Sequence, residues 1–165
     1  KKLHSYGIAI YGTFLFGYDS ESAEDIQRTV DVALDLGLFI GAFNPLIPFP
    51  GTPLYEQFRK EGRLTDEAWW LSPEFRFGDA PFNPRNMTAR ELHENCITAR
   101  KKFYSYSGIM KRAKNVSGNC SSLSKAGGYF WLNHLLGKEV SQKDRLPLGN
   151  EVFRPQPIFK GGVLV

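Results

Sequence analysis

A change of hydrophobic period within the first third of the chain constrains its fold more than any other feature. Gly7–Phe16 (GIAIYGTFLF) is almost continuously apolar and rich in β-branched and aromatic residues. Such text predicts a strand buried on both faces, as in a parallel sheet. Gly17 ends it, and Tyr18-Asp19-Ser20 turns the chain. Apolar residues then recur at helical spacing, with Ile26, Val30, Ala33 and Leu34 on one stripe. Ser20 or Ser22 can cap this helix, Glu21, Glu24 and Asp25 fall where its dipole favours acids, and Gly37 is a natural stop. Leu38–Ile47 returns to strand-like text. Strand, helix and strand with short links make a right-handed parallel crossover. The loop after each strand then lies at the strands' C-terminal edge, where α/β barrels and open α/β sheets bind ligands.

The expected fold class is therefore α/β. The opening KKLHSYGIAI reads as the end of a helix running into a strand, so the chain reads as starting mid-fold. We expect the C-terminal strands and helices of a partial TIM-like (β/α) barrel, followed by a mostly helical extension. Residues 1–62 carry the βα units, with Pro53 opening a short helix that Gly62 stops. Residues 63–86 are irregular, with Trp69, Trp70, Phe75, Phe77 and Phe82 among Pro, Gly and Asp, and read as a lid or linker. Residues 87–165 open on a capping-box pattern at Thr88–Glu91 and a helix that buries Leu92, Cys96, Ala99 and Phe103. That helix is expected to reach about Tyr106, with further helices over Ile109–Lys114 and Ala126–Leu136 and a Pro/Gly-rich tail that wraps or frays.

With 42% hydrophobic and 23% charged residues, the composition is that of a globular protein and excludes a disordered chain. No apolar run is long enough for a transmembrane segment. Cys96 and Cys120 belong to no CxxC pair, which points to a reducing cytoplasm. Residues 1–82 carry a net −5 and residues 83–165 a net +9, so the basic half either is a solvated helix face, the favoured reading, or faces nucleic acid or an anionic surface. The Tyr and Phe residues are not interleaved with a basic stripe in the first half, which argues against nucleic acid. His4, His93 and His134 lack ligand spacing and predict no metal site; His4 falls on a helix end and His93 on a solvated helix face.

Two stretches could carry function. In GTFLFGYDSES, Gly17 either admits a ligand close to the backbone or only supplies a positive φ for the turn. In the first case the backbone of Phe16–Tyr18 is free to hydrogen-bond a base edge, with Tyr18 stacking on it. In NPLIPFPGTPLY, four prolines around Gly51-Thr52 build either a rigid apolar wall beside a reacting group or a stiff connection.

Together, Gly12–Asp19 and Pro48–Tyr55 resemble the second half of radical S-adenosylmethionine enzymes in which a cobalamin-binding domain precedes the barrel, the hopanoid methylases among them. That family pairs a strand of the form G-x-F-h-F-G-h-D with a strand ending in P-h-P-G-T-P-L-Y. The resemblance continues through EGRL (61–64), Trp69-Trp70, FNPRNMT (82–88) and KKFYS (101–105), with a looser match at LPLG (146–149). It implies that Leu15, Phe16, Gly17, Tyr18 and Asp19, with Ile47 and Pro48, contact S-adenosylmethionine. It further implies that Asn44, Pro50, Gly51 and Thr52 line the pocket where the 5′-deoxyadenosyl radical meets a small-molecule or lipid-like substrate. Ile47 departs from the Thr of many relatives, and Asp19 stands where broader relatives have Pro-Gly-Glu.

The family's CxxxCxxC loop, which holds a [4Fe–4S] cluster, is absent, as is the cobalamin domain. The resemblance therefore implies a C-terminal fragment that works with the missing N-terminal part of the same protein and ligates no metal itself. An alternative reading is a non-catalytic helical binding module whose basic face recruits a partner or an anionic surface.

Overall fold

The computed structural model describes residues 1–148 and the strand residues 159–160 and 163–164. Helix α1 (Lys2–Ser5) leads into β1 (Tyr11–Phe16), α2 (Ala23–Leu36) and β2 (Ile40–Pro45). β1 and β2 pair in parallel, from Tyr11↔Ile40 to Phe16↔Pro45. Ser22 caps α2 in a full capping box with Asp25, and Gly37 closes it in the left-handed conformation at φ 68°. The predicted stripe, Ile26, Val30, Ala33 and Leu34, is buried. Helix α3 (Pro53–Lys60) follows, then the irregular segment with one 3-10 turn at Trp69–Leu71.

Helices α4 (Ala89–Phe103), α5 (Tyr106–Ala113), α6 (Val116–Asn119) and α7 (Leu123–Lys143) form the extension. α4 begins at the expected capping box and buries Leu92, Cys96, Ala99 and Phe103. It stops at Phe103, short of the expected Tyr106, because Ser105 caps α5 through Gly108 N. α7 is longer at both ends than the Ala126–Leu136 expected, despite its glycines. The short strands β3 (Phe159–Lys160) and β4 (Val163–Leu164) pair antiparallel. The tail expectation otherwise concerns residues outside the described ones.

The helices cover one face of the β1–β2 pair. Phe14 and Phe16 stack on Phe43, and Phe43 meets Phe103 of α4. The other face carries Tyr11, Thr13 and Leu15, all exposed. The strand is thus shorter than Gly7–Phe16 and covered on one face only, because among the described residues it has one neighbouring strand and one helical layer. The two oppositely charged halves also meet. Lys102 pairs with Asp31 and Lys111 with Asp35, so lysines of α4 and α5 lie on the acidic face of α2. Among the described residues, no helix is long and apolar enough to cross a membrane.

Candidate functional site

The covered and uncovered faces part at the C-terminal edge of the strands. Leu15 and Asn44 are register partners on the uncovered face. Beyond β2 the chain runs through Leu46 and Ile47 to Pro48, which is fully buried. Phe49–Thr52 forms a turn closed by Thr52 N donating to Phe49 O (3.1 Å), with Pro50 second and Gly51 third at φ 81°. Thr52 then caps α3 by accepting from Tyr55 N (3.3 Å). The irregular segment folds back over this edge. Tyr55 Oη donates to Glu67 O (2.6 Å), and Phe77 N donates to Leu146 O (2.9 Å). Between strand ends, proline loop and aromatic segment lies an apolar cavity of about 410 Å³, lined by Leu15, Asn44, Leu46, Ile47, Phe49, Phe75, Phe77, Arg100 and Leu148 among others.

A wider cleft of about 670 Å³ lies beside it, under the aromatic segment. Its walls are mostly polar, and several of those groups already pair with one another. Arg90 meets Glu94 at 2.8 Å, and His93 Nε2 lies 3.0 Å from Asp144 Oδ1. The smaller cavity is the better candidate because it is apolar, carries few polar groups and sits at the strand ends. His93 corrects the expectation of a solvated side chain. It is 6% exposed, with Nδ1 donating to Gly78 O at 2.8 Å, because the segment around Gly78 covers this part of α4. His4 lies in α1 as expected and is buried.

The sequence-predicted site residues divide into two groups. Leu15, Asn44 and Ile47 come together on the cavity. Phe16 turns to the core against Phe43, and Pro48 is buried, while Pro50, Gly51 and Thr52 lie on the turn beyond Phe49, outside the cavity lining. Gly17 has φ 107°, and a Cβ there would stand 2.7 Å from Leu92 Cδ2 and 3.0 Å from Phe82 Cζ. Its missing side chain makes room for Leu92 and Phe82. The backbone around it is also engaged. Glu21 Oε2 accepts from Gly17 N (2.8 Å) and Tyr18 N (3.0 Å), Glu21 N donates to Tyr18 O (3.0 Å), and Leu46 N donates to Phe16 O (2.7 Å).

Asp19 is tied to two later segments. Its carboxylate accepts from Arg63 at 2.6 Å and from Arg85 at 2.9 Å, and Asn86 Nδ2 donates to its carbonyl at 3.0 Å. The Arg63 hydrogen bond is the main reason its carboxyl is held below the usual carboxylate range. The EGRL and FNPRN motifs therefore both clasp the GYD turn. Tyr18 projects into solvent at 48% exposure.

No known family model matches the chain, and no solved structure matches it. Among curated proteins, its relatives include methyltransferases and a cyclase. It is 34% identical over 110 residues to the bacteriochlorophyllide d C-12(1)-methyltransferase of Chlorobaculum tepidum, covering 67% of this chain and 23% of that protein. It is 35% identical over 63 residues to the bacteriochlorophyllide d C-8(2)-methyltransferase of the same organism, covering 38% and 14%. The anaerobic magnesium-protoporphyrin IX monomethyl ester cyclase of Cereibacter sphaeroides is 24% identical over 91 residues, 55% of this chain and 14% of that enzyme. The chain thus spans less than a quarter of each.

The residues present fit some of the groups that the resemblance implies and not others. Leu15 and Ile47 offer apolar surface on which an adenine could pack, and Asn44 offers an amide beside it. An iron–sulfur cluster does not fit. Cys96 is buried, which pushes its thiol up to about 12, and Cys120 lies outside any ligand group. Among the described residues no cluster of His, Cys, Asp or Glu could hold a metal ion. The sequence reading missed Arg100, Phe75, Phe77 and Leu148. Arg100 had one visible sign, its place four positions after Cys96 on the border of the α4 apolar stripe, as the first of three consecutive cations.

Proposed function

We propose that this chain is the C-terminal part of a radical S-adenosylmethionine methyltransferase, forming the last βα units of a partial β/α barrel and their helical cover. The observation that carries the reading is the apolar cavity at the C-terminal edge of two parallel strands, formed by Leu15, Asn44 and Ile47 of the family-like motifs. The methyltransferase relatives support it. In this reading Leu15 and Ile47 pack the nucleoside, Asn44 orients it or the substrate, and the aromatic segment excludes water. S-adenosylmethionine supplies the radical chemistry and cobalamin a methyl group when bound. The [4Fe–4S] cluster belongs to an N-terminal part of the same polypeptide, in a reducing cytoplasm. The substrate is a hydrophobic small molecule, for which the bacteriochlorophyllides of the relatives are the nearest precedent.

The test uses the polypeptide that the gene encodes around this sequence, purified anaerobically and reconstituted with iron, sulfide and cobalamin. Incubation with S-adenosylmethionine and dithionite should release 5′-deoxyadenosine or S-adenosylhomocysteine. Leu15→Trp, which fills the cavity, should cut that release at least tenfold while leaving the thermal melt in place, since Leu15 is 44% exposed. Unchanged S-adenosylmethionine at matched iron content would remove the radical reading. Normal release from Leu15→Trp would place the nucleoside elsewhere.

A further inference from the structure

The site proposed above contains two arginines, Arg76 on the rim and Arg100 on the inner wall, that no carboxylate among the described residues neutralises, and Arg100 is the one tied to the strand end. Arg100 projects from α4 to the cavity wall, where Nε donates to Phe43 O (2.9 Å) and Nη2 to Asn44 Oδ1 (2.7 Å). Both partners are neutral and use two of the five N–H groups a guanidinium carries. Among the described residues no carboxylate lies within ion-pair distance of it. The acid on the cavity rim, Asp79, is turned elsewhere. Its carboxylate accepts from Arg76 N at 2.9 Å and stands 3.9 Å from Arg145. Burial is the main influence drawing the Arg100 pKa below the ordinary guanidinium range, but an arginine stays cationic in a protein.

The surroundings of this cation are mostly apolar and partly exposed. Leu15, Phe49, Phe77 and Leu148 all line the cavity and are 42–62% exposed. Water is a poor partner for these side chains, and a desolvated cation gains most from a charge-assisted, two-pronged hydrogen bond. Phosphate would bring two charges and a large hydration shell into a space with little else polar. A carboxylate at the end of a hydrophobic body matches both features.

We propose that the cavity takes an apolar small molecule that ends in a carboxylate, with Arg100 binding the carboxylate and Asn44 holding Arg100 in place. This names the substrate class of the site and rests on the functional reading above for the identity of the reaction alone. Arg100 sets orientation in this assignment: with the acid anchored at α4, the far end of the molecule lies toward Leu15 and the strand ends.

The experiment titrates the full chain with pyrenebutyrate and with pyrenebutanol, which share one hydrophobic body and differ in the terminal group, and follows pyrene fluorescence. The acid should bind at least roughly tenfold tighter than the alcohol, as a charge-assisted hydrogen bond predicts. Arg100→Gln should abolish the preference with alcohol affinity unchanged, and Arg76→Gln, on the rim, should retain it. Equal affinities in the unmodified chain would overturn the proposal, as would binding of neither probe. So would a preference that survives Arg100→Gln or vanishes with Arg76→Gln. If Arg100→Gln fails to fold by circular dichroism, Arg100→Lys decides. Lysine keeps the charge without the fork and should retain part of the preference, and an unchanged preference would deny the two-pronged contact. These titrations use no S-adenosylmethionine. Selective acid binding in a protein that does not cleave it would keep this site and discard the radical reading; cleavage with equal probe affinities would do the reverse.

Discussion

The two edges of the β1–β2 pair are finished in opposite ways. On the outer edge of β2 the backbone groups of alternate residues are met by side chains. Tyr104 Oη donates to Gly41 O (2.8 Å) and accepts from Gly41 N (3.2 Å), while Arg100 donates to Phe43 O (2.9 Å). Phe39 O, just before the strand, accepts from both Arg112 and Asn133 at 3.1 Å. These partners come from α4 and the residue after it, from α5 and from α7, so helices stand along this edge where a further strand could otherwise pair. The edge of β1 has no such cover among the described residues, and Ile8, Tyr11 and Leu15 lie exposed along it. A closed edge and an open one on the same small sheet separate what is internal scaffold from what is available surface.

Arg112 is the test with the largest expected effect. It is 0% exposed, lies 3.7 Å over the Phe103 ring and donates to Leu38 O, Phe39 O, Phe103 O and Asn133 Oδ1. Among the described residues no carboxylate balances it, so its worth lies in the acceptors it satisfies. Arg112→Met retains much of the volume and strands those acceptors in the interior, which should destabilise the chain by roughly 3–5 kcal/mol. Urea unfolding would check this. A loss below about 1 kcal/mol would mean that water takes the guanidinium's place and that the β2 edge is not sealed.

The second test is alkaline pH, because two buried hydroxyls belong to this scaffold. Burial pushes both Tyr104 and Tyr129 up to about 12, against an ordinary value of about 10. The folded state holds these protons more tightly than the unfolded one, so stability is fully present below pH of about 10. It is lost as pH rises toward about 12, by roughly 2–3 kcal/mol for each tyrosine. Tyr104→Phe should cost about 1–2 kcal/mol at neutral pH through its two lost hydrogen bonds, and should remove about half of the alkaline loss. An alkaline profile identical to that of the parent chain would show that Tyr104 ionises freely, and so that the edge is open there.

The local parts of this architecture are legible in the residues. Ser22 with Asp25, Gly37, Thr52 with Pro53, and Thr88 with Glu91 all mark helix ends through contacts within a few positions. What is not legible depends on distant neighbours. Nothing near Gly17 tells whether its bare backbone faces a ligand or Leu92, which is far along the chain. The same holds for His93, covered by Gly78 and Asp144, and for Asp19, whose partners come from two separate motifs. The candidate site is half legible. Leu15, Asn44 and Ile47 come from the family resemblance, whereas the place of Arg100 and the Phe75–Phe77 wall on the cavity depends on how α4 and the aromatic segment pack.

The smallest expected effect on stability lies at the open edge, and it is also the sharpest probe of the contrast. Thr13 sits mid-strand on β1, exposed, on the face away from the helices. Its neighbours Tyr11 and Leu15 are apolar and 63% and 44% exposed. An uncovered apolar strand invites pairing with another chain, and natural edges are commonly guarded with lysine. Thr13→Lys adds a charge without removing a contact to the core, so stability should move by no more than about 0.5 kcal/mol. Self-association should fall, seen in sedimentation velocity as loss of the concentration-dependent fast species that the unmodified chain should show. A matching substitution at Thr13's register partner on the strand with the closed edge, Ala42→Lys on β2, should leave association as it was, since β2's outer backbone is already occupied. Monomeric sedimentation of the unmodified chain at all concentrations would show that β1 needs no partner, and equal effects of the two lysines would show that charge alone, not the open edge, governs association.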